Sequence, residues 1–138
     1  MYKTILITLE ATPTDRAIID HVKKLAKLMI SEVVLLHVAT GVPAQFNGPD
    51  AAGEEVREDS GYLQKVKAEF ESLGIPAKAT LAYGEPVTQI VKWVKDNHCD
   101  LVAMSTHGHR LLADVFLGAT ASKVQHSIDV PVLLIRSR

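Results

Sequence analysis

The chain has 138 residues, 47% of them hydrophobic and 22% charged, and its 15 basic and 16 acidic side chains leave a formal net charge of −1. These values are typical of one globular domain and exclude both a disordered chain and a basic surface for nucleic acid. No apolar run is long enough to span a bilayer, and the single cysteine, Cys99, excludes an internal disulfide. With no signal-peptide pattern, we expect a cytoplasmic protein that contacts neither nucleic acid nor membrane.

The first third of the chain predicts a strand, a helix and a second strand. Thr4 to Leu9 is an apolar run of strand length. Thr12-Pro13-Thr14-Asp15 then has the pattern of a helix start, with Thr12 as the capping hydroxyl and Asp15 three residues after the cap. Glu32 to Val38 contains four consecutive apolar residues, which favours a strand buried on both faces.

The rest of the chain continues this alternation after a long irregular stretch. Ala39 to Gly53 contains two prolines and three glycines, which predicts a mobile surface loop. A helix follows, weakened at its front by Gly61 and ended by Gly74. Its predicted inward stripe is Leu63, Val66, Phe70 and Leu73. The later predicted elements are strands at Ala77 to Tyr83, Asp100 to Ser105 and Val132 to Ile135, a helix after Gly84-Glu85-Pro86, and a helix opening near Gly118.

Strict alternation of strands and helices indicates a three-layer α/β sandwich around a five-stranded parallel sheet. If the strand order is 3-2-1-4-5, the first and fourth strands flank the crevice where such sheets bind ligands. A single domain of residues 1–138 accounts for the whole pattern.

The stretch after the fourth predicted strand is the first candidate site. Gly108 and Gly118 allow close backbone approach to a phosphate, and a helix start supplies the positive end of its dipole. The two glycines are equally compatible with two ordinary turns. Glu10 at the end of the first strand is open to two readings, a ligand-contacting carboxylate or a helix-capping acid. The sequence offers no nucleophile paired with a base, so we expect no enzymatic activity.

Short motifs occur in order along the whole chain, and together they resemble the universal stress protein (UspA) family. They are ILITLEATPTDRAI at 5–18, LLHV at 35–38, GEP at 84–86, DLVAMSTHGHR at 100–110, FLGATASKV at 116–124 and VPVLLIR at 130–136. The resemblance implies the 3-2-1-4-5 sheet, a role in stress response and a homodimer paired through Val132 to Ile135. It also implies ATP or AMP as ligand, with Mg²⁺ accompanying the nucleotide and at most weak hydrolysis of ATP.

The resemblance further implies the residues that contact the nucleotide. Adenine and ribose contacts fall on Thr8, Leu9, Glu10, Val38 and Met104. The phosphate loop comprises Ser105, His107, Gly108, His109, Arg110, Gly118, Ala119, Thr120 and Ala121. The family's Asp-Gly-Ser after the first strand reads Glu10-Ala11-Thr12 here, which changes the length of the ribose-contacting acid.

Two positions depart from the family's phosphate-binding pattern. Ser105 stands where a glycine is usual, and Ala119 stands where a hydroxyl is usual. One lost hydroxyl bond weakens binding by about 2- to 13-fold, and Thr120 next to it offers a substitute. The alternative function is therefore a dimeric scaffold or partner-binding protein of the same family that binds no nucleotide.

Overall fold

The computed structural model describes residues 1–39, 49–107 and 120–137, with backbone alone at 49–56 and 107. The described elements are β1 (Thr4–Leu9), a 3-10 helix (Pro13–Asp15), α1 (Arg16–Met29), β2 (Glu32–Ala39), α2 (Pro49–Ser72), β3 (Ala77–Tyr83), α3 (Pro86–Asp96), β4 (Leu101–His107), α4 (120–127) and β5 (Val132–Ser137). All neighbouring strands are parallel, in the order β3-β2-β1-β4-β5. This order confirms the predicted fold class.

β1 lies at the centre of the sheet, and its side chains enter both layers of the core. Ile5, Ile7 and Leu9 face α1 and α2, whereas Leu6 faces the layer that contains α3 and α4. All four are buried because period-two alternation in a central strand places successive side chains on opposite faces. Beyond Leu9 the chain leaves the sheet, and there the core opens into a cavity.

The predicted loop at Ala39 to Gly53 is wrong in part. Ala39 is the last residue of β2, and α2 begins at Pro49, so Gly61 lies inside the helix rather than at its front. Proline is well placed in the first turn of a helix, and this overrides the Pro/Gly-rich composition of the stretch. Residues 40–48 of the predicted loop lie outside the described residues.

α2 packs on the sheet through three of the four predicted stripe residues. Leu63, Val66 and Phe70 are buried, but Leu73 is 39% exposed. The helix ends at Ser72, and Gly74 with φ of 78° turns the chain towards β3, so Leu73 leaves the helical face.

An ion-pair cluster joins α2 to α1. Glu69 on α2 accepts hydrogen bonds from Arg16 at 2.7 Å and from Lys23 at 2.6 Å, both on α1. The Arg16 hydrogen bond is the largest cause, with Lys23 contributing, of a Glu69 pKa lowered to about 2. The cluster fixes the position of α2, the helix that forms one wall of the cavity described below.

Replacing Glu69 by glutamine should make the protein less stable at neutral pH but not in acid. The pKa of Glu69 in the folded protein lies below its ordinary value of 4.5. The ionised Glu69 therefore stabilises the protein fully above pH 4.5, and this stabilisation is lost as the pH falls towards 2. Because the cluster is partly exposed, we expect a difference of about 1 kcal/mol at pH 7. Urea unfolding of both proteins between pH 7 and 3 measures it, with exposed Glu71→Gln as control. A difference that stays constant down to pH 3 would contradict the expectation.

Candidate functional site

A cavity of about 370 Å³ opens at the carboxyl ends of β1, β2 and β4, where the sequence predicted a ligand crevice. Its lining residues are Thr8, Leu9, Glu10, Ala11, Leu36, His37, Val38, Ala39, Asp59, Pro86, Ile90, Met104, Ser105 and Thr120. The cavity therefore extends across the end of β1. β2 and α2 line one side of it, and β4 and α4 line the other.

Seven of the predicted nucleotide-contacting residues meet in this cavity. They are Thr8, Leu9, Glu10, Val38, Met104, Ser105 and Thr120. Ala121 is 2% exposed and packs in the core beneath α4, so it does not line the cavity. His107 has a described backbone in β4 but no described side chain, while Gly108, His109, Arg110, Gly118 and Ala119 lie outside the described residues. The phosphate loop stays a prediction.

Apolar side chains form the layer of the cavity next to α3. Leu36, Ile90 and Met104 are each no more than 4% exposed, and Val38 packs against the same cluster. An apolar surface of this kind suits a flat apolar ring, because the ring gains from leaving water against it. The polar lining residues belong to the other parts of the cavity.

The buried carboxylate of Asp15 holds the turn after β1 in place. Asp15 accepts hydrogen bonds from the backbone N–H groups of Glu10 at 3.0 Å and Ala11 at 2.9 Å, and from the Tyr62 hydroxyl at 2.7 Å. Thr12 is the N-cap residue and Pro13 the first helical residue, as predicted. The Thr12 side chain forms no capping hydrogen bond, however, and the first turn is a 3-10 helix before α1 begins at Arg16. The acid that was expected to support the helix instead fixes the wall of the cavity.

Burial governs the chemistry of this carboxylate. Desolvation raises the pKa of Asp15, while hydrogen bonds from Glu10, Tyr62 and Ala11 oppose the rise. Burial, with the hydrogen bond to Asp15, likewise raises the pKa of Tyr62 above its ordinary value. The hydroxyl therefore remains a proton donor to Asp15 across the neutral range.

Ala11 holds the left-handed conformation that the turn requires. Its φ is 62°, a region in which a side chain is disfavoured by about 1–2 kcal/mol. Replacing Ala11 by glycine should therefore stabilise the protein, although glycine also gives the unfolded chain more freedom, worth about 0.4–1 kcal/mol. We expect a net gain of about 0.5–1 kcal/mol in the free energy of unfolding, measured by urea denaturation. Ala11→Ser, which keeps a Cβ, is the control, and an equal gain in that variant would refute strain relief.

A short hydroxyl relay leads to the carboxylate of Glu10. The Thr14 hydroxyl donates to Glu10 Oε2 at 3.0 Å, and the Thr12 hydroxyl contacts that of Thr14. Since Thr14 uses its hydrogen on Glu10, Thr12 donates to Thr14. The Glu10 side chain is thus oriented from the turn, at the mouth of the cavity.

His37 and Asp59 form the side of the cavity between β2 and α2. The His37 ring places Nδ1 2.8 Å from the Leu9 carbonyl oxygen and Nε2 3.3 Å from Asp59 Oδ2. The two side chains are 11% and 14% exposed. Despite this proximity, Asp59 Oδ2 is buried and forms no well-aligned hydrogen bond within the described part of the chain.

Hydroxyl groups stand on the opposite side of the cavity, at β4 and α4. Ser105 is 8% exposed, and its Oγ is buried with no hydrogen-bond partner among the residues at 1–39, 49–107 and 120–137. Thr120, the first residue of α4 that the structure describes, also lines the cavity on this side. The cavity therefore has hydroxyl donors on the β4 side of β1 and an acidic group on the β2 side.

Cys99 is not part of this site. It lies before β4, at the other end of the sheet, and burial raises the pKa of its thiol to about 11. The thiol stays protonated and packs in the core. Over the described ranges, the structure gathers no set of three His, Cys, Asp or Glu residues that could hold a metal, and contains no helix able to span a membrane.

Several site residues escaped the sequence analysis, and Asp59 is the most important of them. The predicted inward stripe of its helix began at Leu63, one turn after Asp59, so the contact of this acid with His37 was not expected. Asp15 and Tyr62 were missed because they meet across 47 residues of sequence. The apolar spacing of α2, extended back by one turn from Leu63, places position 59 on the inward face and was the available signal.

Comparison with known proteins places this geometry in a family. Universal stress protein MJ0577 of Methanocaldococcus jannaschii is 27% identical over 157 residues, covering 100% of this chain and 97% of that protein. The solved structure of MJ0577 has a TM-score of 0.87 at 28% identity and covers 100% of this chain and 98% of that one.

Two further solved structures share the fold and contain a ligand. One is a universal stress protein in complex with cAMP, with a TM-score of 0.73 at 16% identity, covering 99% of this chain and 98% of that chain. The other is the universal stress protein from Archaeoglobus fulgidus in complex with dAMP, with a TM-score of 0.72 at 17% identity, covering 97% and 98%. The model of the universal stress protein family matches residues 1–136, so this chain belongs to that family.

Proposed function

We propose that this protein binds an adenine nucleotide, ATP or AMP, in the cavity at the carboxyl ends of β1 and β4, and that occupancy regulates its part in the stress response. The observation that carries the proposal is the cavity itself. It combines an apolar surface formed by Leu36, Ile90 and Met104 with the buried Ser105 hydroxyl, which has no hydrogen-bond partner among the described residues. The cAMP and dAMP complexes of two proteins with this fold support the ligand class.

The lining residues suit different parts of a nucleotide. The hydroxyls of Ser105 and Thr120 suit an anionic phosphate, because each can donate a hydrogen bond. Glu10 over the end of β1 suits ribose hydroxyls, since an ionised carboxylate accepts hydrogen bonds. Mg²⁺ would enter with the phosphates of ATP, and its presence stays a prediction.

The protein itself, purified without added nucleotide, provides the first test. We expect an adenine compound to be released on denaturation, and we expect titration with ATP, ADP, AMP and cAMP to show binding at micromolar concentrations. Absence of binding by all four below millimolar concentration would reject the proposal. A steady-state phosphate-release assay should show no turnover above slow hydrolysis, because no nucleophile with an adjacent base is apparent among the described lining residues.

A family member that binds no nucleotide is the second candidate. The observation that favours it is the charge of the cavity. Among the described lining residues Glu10 and Asp59 are acidic, His37 is the one basic group, and there is no lysine or arginine. Such a protein would act as a dimeric scaffold through β5, an edge strand on which Leu134 is 43% exposed. Stoichiometric release of an adenine compound would eliminate this candidate.

A further inference from the structure

An exposed apolar surface lies at the end of the sheet opposite the cavity, where α1 leads into β2. Leu28 is 79% exposed and Ile30 is 90% exposed. Leu28 and Leu73 line one open hollow together with Lys27, and Ile30 lines an adjoining hollow with the same Leu73 and Lys27. Single exposed apolar side chains are ordinary on a protein surface. Three of them around two adjoining hollows form a patch of the kind that contacts a partner.

Ile30 occupies a backbone conformation that isoleucine disfavours. It is the residue after α1, with φ of 56° and ψ of 51°, and its N–H donates to the Ala26 carbonyl oxygen. This left-handed conformation at a helix end normally belongs to glycine, because a β-branched side chain raises its energy. The isoleucine side chain gains almost nothing from burial in return, since it projects into solvent. A contact that forms only when another molecule binds would account for an isoleucine here.

The charge of the first hollow is basic. Its described lining consists of three lysines and two leucines, with no acidic residue among them. Lys23 is already neutralised by Glu69, 2.6 Å away. Lys27 donates to the Leu73 carbonyl oxygen at 3.3 Å, and neither Lys27 nor Lys24 forms an ion pair with a carboxylate in the ranges that the structure describes. Two positive charges are therefore available beside exposed leucine side chains.

Shape and charge together favour an acidic peptide segment over other occupants. Because the hollows are concave, an apolar side chain can insert between the end of α1 and Leu73, whereas a lipid bilayer would contact only the rim. In a symmetric pair of two copies of this chain, the same lysines would face each other and repel. Lys3 and Glu32 of the adjoining hollow offset each other, so the net charge of the surface remains positive.

We propose that this surface binds an acidic amphipathic segment of another protein. The surface consists of Lys24, Lys27, Leu28, Ile30 and Leu73. Apolar side chains of the segment contact Leu28 and Ile30, and its carboxylates pair with the two lysines. The surface precedes β2 and β3, at the amino ends of the strands, whereas the cavity lies at their carboxyl ends. One molecule can therefore bind the segment and a nucleotide at the same time, and neither event requires the other.

The probe for this surface is a fluorescein-labelled synthetic peptide of glutamate, alanine and leucine, with its leucines on one face of a helix. We expect its fluorescence anisotropy to rise on titration with the protein. A peptide of the same composition with dispersed leucines should bind at least about tenfold more weakly, because it cannot present its apolar side chains together.

Two variants separate the apolar from the charged contribution. Ile30→Gly should weaken peptide binding about tenfold while the melting temperature stays the same or rises, because glycine suits the left-handed conformation. Lys24→Glu should weaken binding about fivefold through loss of attraction and added repulsion. The matched control is Lys95→Glu, which alters an exposed lysine of α3 in the opposite layer and should leave the affinity unaltered.

Each outcome decides for or against the docking surface. Equal binding of the two peptides, or unaltered affinity in both Ile30→Gly and Lys24→Glu, would overturn it. Sedimentation of the protein with phosphatidylserine vesicles but no binding of the peptide would also overturn it, in favour of a membrane. If Ile30→Gly does not fold, Leu28→Ser at the exposed end of α1 replaces it, with the same expected loss. Titration with AMP tests the proposed function separately, and its failure would leave the peptide result standing.

Discussion

Replacing Asp15 by alanine is expected to lower the free energy of unfolding by about 2–3 kcal/mol and to weaken nucleotide binding at least tenfold. The carboxylate satisfies the backbone N–H groups of Glu10 and Ala11 and the Tyr62 hydroxyl, all partly buried. Without it these donors lose their acceptor, and the left-handed Ala11 loses the contact that holds it in the cavity wall. The raised pKa of Asp15 shows that burying the charge is itself unfavourable, which keeps the expected loss below the sum of three bonds.

Tyr62→Phe is the matched variant for this prediction. It removes one of the three hydrogen bonds and leaves the two backbone bonds intact. We expect it to cost about 1 kcal/mol and to leave Ala11 in place. Urea unfolding and a nucleotide titration of both variants are the measurements. If the two variants are equally destabilised, the backbone bonds of Asp15 contribute nothing, and its role in shaping the turn is refuted.

Thr8→Phe should abolish nucleotide binding while the fold persists. Thr8 is only half-buried at the end of β1 and lines the cavity, so an aromatic ring placed there occupies the volume that the base requires. We expect affinity to fall at least about 100-fold, or about 2.7 kcal/mol. Strands accept aromatic residues readily, so the melting temperature should change by only a few degrees.

The control for the blocked cavity is Thr80→Phe. Thr80 is a half-buried threonine of β3, an edge strand, and is not among the cavity-lining residues. Isothermal titration with AMP should give the unaltered affinity for this variant. Equal affinity in Thr8→Phe and the unaltered protein would show that the nucleotide binds elsewhere, and equal loss in both variants would indicate a general effect on folding.

The strands were predictable because their apolar runs are continuous. A parallel sheet covered on both faces leaves no polar side to interrupt the pattern, and the alternation with helices then determines the class of fold. The order 3-2-1-4-5 brought Glu10, Val38 and Ser105 to one edge, so the position of the cavity followed from topology. Strand ends were less exact, and β4 and β5 both extend two residues beyond their predicted ends.

The acidic side of the site was not predictable in the same way. The Asp59 contact with His37 depends on how α2 crosses the sheet, and that crossing is set by Phe70 and its neighbours together with the Glu69 cluster. The local sequence around Pro49 indicates a turn, because proline and glycine dominate its composition, whereas in the structure Pro49 is the first residue of the helix, a position that proline suits. Contacts between residues that are tens of positions apart leave no periodic pattern in a single sequence.

The central position of β1 also determines when the cavity can form during synthesis of the chain. β1 is synthesised first, but its pairing with β4, from Ile5 opposite Leu101 to Ile7 opposite Ala103, must wait for almost a hundred further residues. At ordinary rates of translation that interval is about 5–20 s. During it the nascent chain lacks the Ser105 side of the cavity, so the proposed nucleotide site forms only after β4 has been synthesised. At a nucleotide concentration 100 times the dissociation constant, binding would add about 2.7 kcal/mol to the stability of the complete protein and lengthen its lifetime in the cell.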